Sequence, residues 1–413
     1  MPKYSKKGKP KNRRKTKKIE ASSVLIRNAH RVNKAPRTKM YVPTAADKFI
    51  HFGCWNRFDG TDGFQSVLRK VNDSIVTEPV DFVLVAGDNY YPEKKKDIVT
   101  GEQRKTIDAL NLKAGFDALP KTVDVHLILG NHDVETGEEL FVPNGTQAPQ
   151  CLITNLEREL VPPVGVDETK SGPKQTLNVF KTFLWNGHTA IVMFDTTLYE
   201  LKDGDESLNC YLPFYTKKPT APISVQDLIK EQEDSILKFI TDNRRQIQNV
   251  VFVGHSPIVS AKSKMEKDKP PKNKISCKLF GGLLEKVHRM LVSKPSPKSK
   301  SKSKSKSNTT NLPPKYYYLC ADVHLYQTGT VTMRFPNLPS PMMIKQYVVG
   351  TGGAELDDPP TSANIEMEVP DGPEKKVAFS YDIDKSLKTH GFLRCISDNH
   401  TGNIQFEFVS LYR

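Results

Sequence analysis

The 413-residue chain lacks any apolar run of the ~20 residues that a membrane-spanning helix requires, so no membrane association is expected. Its opening stretch, MPKYSKKGKPKNRRKTKK, has no apolar segment of the kind that makes a secretory signal peptide. An intracellular protein, cytoplasmic or nuclear, is therefore the expectation. The six cysteines (Cys54, Cys151, Cys210, Cys277, Cys320, Cys395) include no CxxC pair and no short disulfide spacing. In a reducing compartment most are expected to be thiols. The sequons at Asn144, Asn308 and Asn399 then carry little weight. Neither GxSxG nor GxxxxGK[ST] occurs, which removes the serine-elbow and P-loop readings.

Acids are almost missing from the first 40 residues, and this locates the charge. That segment holds fifteen Lys and Arg against one acid, Glu20, and so accounts for the whole formal charge of +14. Residues 262–315 hold sixteen Lys and Arg against three acids, so the remaining body is acidic. Two basic attachments on an acidic body point to electrostatic tails rather than a basic groove. Residues 1–40 are too poor in apolar groups to fold and read as a disordered tail. A partner for it would be nucleic acid or another polyanion; a tail that only solubilises is the alternative. The Lys/Ser repeat KPSPKSKSKSKSKSNTTNLPPK reads as an extended, mobile insertion at about 292–315, and AKSKMEKDKPPKNK before it is similar. Between them, LFGGLLEKVHRML is spaced like a short amphipathic helix of the body.

The body, residues 41–413, alternates strand-like and helix-like segments. Near-continuous apolar runs occur at 48–55, 81–89, 124–133, 189–199, 249–257, 315–324 and 346–353, as expected for strands covered on both faces. Helical spacing appears at 64–75 and 225–242. The alternation predicts an α/β fold with helices packed on sheets. His51, His126 and His188 sit in strands without ligand spacing and read as core or strand-edge residues. The run Tyr316–Tyr318 reads as strand-forming, and Asp59 and Asp62 as part of a polar turn. Residues 134–188 read as loops that shape a pocket.

The polar residues gather just after the apolar runs: Asp88 with Asn89, Asn131 with His132, His255, and Asp322 with His324. Ligand sites in α/β sheets form beyond the carboxyl ends of strands. Carboxylate, amide oxygen and imidazole together are a metal-binding set.

AGDNYYP, LGNHD, GHSP and ADVHLYQ, in that order and at wide separations, resemble the calcineurin-like metallophosphoesterase superfamily. More narrowly they resemble its purple acid phosphatase branch, whose GDWG and SGxG motifs are similar to GCWN at 53–56 and to the end of VVGTGG. The resemblance spans roughly residues 46–355. It implies a two-sheet β-sandwich flanked by helices, and two metal ions, iron with iron, manganese or zinc. Residue by residue, Asp88 would bridge the metals. The first would also take Tyr91, His324 and Cys54; the second would take Asn131, His255 and Asp322. His132 would protonate the leaving oxygen, and Asp133 would orient it. A hydroxide held by the metals would attack the phosphoester substrate.

Two positions depart from the family: Cys54 replaces an aspartate and Asp322 replaces a histidine. Both replacements are metal-competent types, and a buried free thiol is the alternative for Cys54. The expected function is hydrolysis of phosphomonoesters. The rival is a degenerate enzyme whose fold is a scaffold and whose basic segments bind nucleic acid or another polyanion; a phosphodiesterase is a third reading.

Overall fold

The computed structural model describes residues 47–57, 63–91, 101–134, 151–161, 173–215, 224–264, 272–278, 280–293, 313–336, 338–370, 376–398 and 401–412. The basic tail, the three sequons, Asp59, Asp62 and nearly all of the 292–315 insertion lie outside these residues.

In chain order the first strands are β1 (Lys48–Phe52), β2 (Phe82–Ala86), β3 (Asp124–Ile128), β4 (Gln175–Asn178), β5 (Phe180–Trp185) and β6 (Thr189–Phe194). Then come β7 (Asn249–Val253), β8 (Val259–Lys264), β9 (Lys272–Cys277), β10 (Lys315–Cys320), β11 (Tyr326–Arg334) and β12 (Met342–Val349). The last are β13 (Asn364–Pro370), β14 (Lys376–Leu387), β15 (Gly391–Asp398) and β16 (Asn403–Ser410). The helices are α1 (Gly63–Thr77), α2 (Gly101–Ala118), α3 (Leu152–Leu160), α4 (Leu208–Tyr211), α5 (Val225–Asn243) and α6 (Leu283–Val292).

The strands form two large sheets. One has the order β16-β15-β1-β2-β3-β4, the other β13-β14-β11-β12-β10-β7-β6-β5. The strands β1 to β4 are parallel to one another, as are β12, β10, β7 and β6. Antiparallel strands complete both edges of the second sheet and one edge of the first. This is the two-layer α/β sandwich expected from the sequence.

Aromatic side chains join the layers. Phe49 meets Trp185 at 4.9 Å and Phe82 meets Phe183 at 5.2 Å, both edge to face. At the other end Tyr347 stacks on Phe406 at 4.4 Å and Tyr326 on Phe408 at 4.0 Å. Each pair takes one ring from each sheet. Such rings bury large apolar areas in defined geometries, so they set how the layers sit on one another. Outside the layers, α1 buries Val67, Leu68 and Val71 on one stripe against the first sheet's core, while α5 buries Ile236, Phe239 and Ile240 against the second's. Ser224 starts α5 by accepting a hydrogen bond from Gln226 N at 3.1 Å.

Two expectations need correction, and a third holds with one addition. The basic stretch AKSKMEKDKPPKNK is not wholly an extended loop, because its two ends pair as the β8–β9 hairpin, with Lys262 opposite Lys274. The alternation of Ala261 and Ile275 with polar residues supports that pairing, but lysine content masked it. Residues 134–188 are not only loops: they contain α3, β4 and β5. Four cysteines are free thiols as expected, but Cys151 and Cys210 form a disulfide across 59 residues, with Cα atoms 5.2 Å apart. That spacing is invisible until α3 and α4 meet. No helix among the described residues is long and apolar enough to cross a membrane.

Trp185 is fully buried, packs on Phe49 and Phe82, and donates Nε1–H to Asp81 Oδ2 at 2.8 Å. Trp185→Ala is expected to cost about 3–5 kcal/mol of stability, measured as a lower urea midpoint.

Candidate metal centre

Every predicted ligand follows the carboxyl end of a parallel strand, and both sheets contribute. The turn after β1 carries Cys54, that after β2 carries Asp88 and Tyr91, and that after β3 carries Asn131 and His132. From the second sheet, β7 leads to His255 and β10 to Asp322 and His324. The turns interlock through backbone hydrogen bonds. Cys54 N donates to Gly87 O at 3.1 Å, Gly352 N to Gly53 O at 3.0 Å and Ala321 N to His255 O at 2.9 Å. The glycine-rich end of VVGTGG thus lies against the Cys54 turn.

These turns are tight. Cys54, Asp88 and Asp322 have φ of 52°, 49° and 56°, in the left-handed region that side chains with a Cβ seldom occupy. Local strain at three of the seven predicted ligands marks the position as one where geometry outweighs comfort. Gly130 has a different constraint: a Cβ there would lie 2.3 Å from Asp88 Oδ1.

Asp88 is the hub. Its Oδ2 accepts from Tyr91 OH at 2.6 Å and faces Cys54 Sγ at 3.8 Å. Its Oδ1 accepts from His132 N at 3.1 Å and lies 3.2 Å from His255 Nε2. Tyr91 OH is also 3.0 Å from His324 Nε2, and His255 Nε2 is 3.0 Å from Asn131 Oδ1. Both histidines are oriented from behind. His255 Nδ1 donates to Ala86 O at 2.7 Å and His324 Nδ1 to Glu355 O at 2.8 Å, which directs both Nε2 atoms towards Asp88.

Ligand atoms of Cys54, Asp88 and His324 close to within 4.8 Å of one another, a spacing a metal ion can span. A thiol, a carboxylate and an imidazole, with the Tyr91 phenol beside them, suit iron or zinc. The residues present fit the metal that the motifs imply. Asp322 is half-buried, and its charge reaches Cys54 and His255. Its carboxylate is outside the 4.8 Å group among the described residues.

Burial and charge explain the protonation pattern. Burial would raise the Asp88 carboxyl, but His255 overrides it and holds the carboxyl well below the usual carboxylate range. Burial opposes charge on His255, and Asp88 more than compensates, bringing it to about 10. Burial, then the Asp88 charge, pushes Cys54 and Tyr91 up. A cation between these groups would replace the proton shared by Asp88 and His255 and draw off those of the thiol and phenol.

His132 is half-buried, its ring centroid 4.8 Å from that of Tyr91. Asp133, expected to orient His132, has its described bonds elsewhere. It accepts from Gly130 N at 2.7 Å and from Asn89 N and Nδ2 at 2.8 and 3.1 Å. It therefore ties the Asp88 turn to the Asn131 turn.

Residues beyond the predicted ligands hold these turns in place. Asn89 receives Trp55 Nε1–H at 3.2 Å, and its carbonyl receives Asn56 Nδ2–H at 3.0 Å. Asp357 accepts from His324 N at 3.0 Å and pairs with Lys262 at 2.9 Å. Asn89 was legible as part of GDN; nothing local distinguishes Asp357, which lies 33 residues beyond the histidine it holds.

A family model described as calcineurin-like phosphoesterase matches residues 47–280. The chain belongs to that family. Metal-dependent phosphoester hydrolysis is the chemistry of that family, and the Cys54, Asp88 and His324 group could hold a metal ion. The phosphoesterase is also similar to a solved structure described as GAP50, the anchor in the inner membrane complex of Plasmodium. The two share 12% identity over 89% of this chain and 85% of that one, with a TM-score of 0.45. No curated protein matches the chain.

Gly130→Ala is expected to push Asp88 aside and to weaken metal binding by about 10–100-fold, read by calorimetric titration of the metal-free protein.

Proposed function

We propose that the phosphoesterase hydrolyses phosphomonoesters at a two-metal site of the purple acid phosphatase kind, holding iron with iron, manganese or zinc. The observation that carries this reading is the division of Asp88: Oδ2 faces Cys54 and Tyr91, with His324 beyond, while Oδ1 faces His255, with Asn131 beyond. Cys54, Asp88, Tyr91 and His324 would hold one ion; Asp88, Asn131, His255 and Asp322 the other. Bound there, the metals supply the positive charge that acidifies water and neutralises phosphoryl oxygens. His132 protonates the leaving oxygen, and its half-exposed position beside Tyr91 supports that role. Asp133 keeps the Asn131–His132 turn in register with Asp88.

His132→Ala is expected to slow turnover of alkyl phosphates far more than that of p-nitrophenyl phosphate, whose leaving group needs little protonation. Metal content should stay unchanged. Equal losses on both substrates would give His132 a binding role instead. Asp322 supplies an anion where the family has a neutral imidazole, which blunts the acidification of water. Asp322→His is accordingly expected to move the activity optimum to lower pH.

One observation favours a scaffold reading: two of the seven predicted ligands, Cys54 and Asp322, depart from the residues the family carries there. A purified protein that retains no metal under iron, manganese or zinc loading would decide for the scaffold. In either reading the basic segments, 1–40 and about 292–315, would bind nucleic acid or another polyanion. Deleting residues 1–40 removes the whole formal +14, so polyanion binding should weaken and its salt dependence flatten. Turnover of small phosphate esters should be unaffected by that deletion.

A further inference from the structure

Within the Cys54–Asp88–His324 group, the histidine comes from the second sheet and the other two residues from the first. Its placement is set by the segment beyond β12. His324 Nδ1 donates to Glu355 O at 2.8 Å, and His324 N donates to Asp357 Oδ2 at 3.0 Å. Asp357 N donates back to His324 O at 2.7 Å. The same segment reaches the first sheet, because Ala354 N donates to Cys54 O at 3.1 Å. Residues 354–357 therefore fix His324 relative to Cys54.

Strand β8 holds this segment from outside. Ser263 N donates to Asp358 O at 2.9 Å, and Lys262 Nζ lies 2.9 Å from both carboxylate oxygens of Asp357. Hairpin pairing does not account for a lysine at 262. It stands directly opposite Lys274, and like charges so placed repel. Asp357 supplies the counter-charge.

The side chains of Lys262 and Asp357 are 29% and 24% exposed. Ion pairs in such positions add little to overall stability. The effect of this one is directional: a carboxylate gripped at both oxygens is held from turning away from His324 N.

We propose that Lys262 acts through Asp357 as a positioning residue for His324, so that β8 sets how tightly the Cys54–Asp88–His324 group closes on an ion. Without the lysine, the Asp357 carboxylate is free to turn towards solvent, and His324 N loses its acceptor. The His324 turn then rests on Glu355 O and Asp357 N, and its Nε2 is aimed less firmly at Asp88. The metal readout below rests on the metal-site reading above; the exchange readout does not.

The experiment titrates cobalt(II) into the metal-free full chain. The thiolate-to-cobalt absorption band reads the ion at Cys54 separately from any second ion. Lys262→Met should weaken that binding by about tenfold, the low end for outer partners of a metal ligand. Its thermal melting should stay close to that of wild type, which a merely structural role would not predict. Lys262→Arg keeps the cation and should bind as wild type does. So should Lys388→Met, which removes the cation paired with the next residue, Asp358. In an Asp357→Ala background, Lys262→Met should cost nothing further, because its effect passes through that carboxylate. Without metal, the His324 amide should lose protection from hydrogen exchange in Lys262→Met and keep it in Lys262→Arg.

Unchanged cobalt affinity in Lys262→Met overturns the proposal. So do losses that add in the double variant, or an arginine or Lys388 variant as weak as the methionine one. If the wild type shows no thiolate-to-cobalt band, the metal reading of Cys54 fails. The exchange comparison then still decides: unchanged protection of the His324 amide in Lys262→Met would mean that Lys262 does not act on His324.

Discussion

A buried carboxylate must be surrounded by groups that repay its lost hydration, and Asp88 sets this demand for the whole molecule. It is 1% exposed and is reached by Tyr91, Cys54, His132 N and His255. These partners come from four separate turns. Each turn is in turn held by residues that serve no chemistry, such as Gly130, Asn89 and Ala86. Asp133 follows the same logic at one remove, accepting from Gly130 N and from Asn89 N and Nδ2.

The demand can be met only because the two sheets are clamped at a fixed offset. His255 and His324 belong to the second sheet, Asp88 and Asn131 to the first, and the gap between them is spanned by interactions of about 3 Å that tolerate little drift. The paired rings of Phe49 with Trp185 and of Tyr347 with Phe406 resist that drift far from the site. Outer contacts then trim the alignment. Lys262 on the β8–β9 hairpin fastens Asp357, and Asp357 fastens His324. A hairpin whose composition reads as a charged loop is thereby part of the frame.

The disulfide has a comparable place. Cys151 precedes α3 and Cys210 lies in α4, beside Tyr211. Of the segments they join, α3 holds a turn of the site through Thr154 on Asp133, and α4 places Tyr211 beside Asp195. Burial raises Asp195 to about 7, and its Oδ1 accepts from Thr197 N and Leu198 N. Burial is the largest influence on Asp88, Asp133 and Asp195 alike.

Much of this was legible in the chain. Apolar runs ending in GDN, GNHD, GHSP and ADVH predicted β2, β3, β7 and β10 and the polar residues at their ends, because strand periodicity and turn chemistry are local properties. The alternation of segments predicted an α/β fold for the same reason, and the family resemblance implied its two-sheet sandwich. Beyond local reach lay the pairing of Cys151 with Cys210, the β8–β9 hairpin, and the strands of residues 364–410, whose half-exposed alternation is weak in sequence. So did the position of Asp133, whose neighbour in sequence is His132 but whose bonds run to Asn89 across 44 residues. The sequence by itself determined which chemical groups are present and which strand ends carry them. Which groups face each other, and which of them close to within reach of one ion, were decided only by tertiary packing, because those depend on distances between turns that no stretch of chain encodes alone.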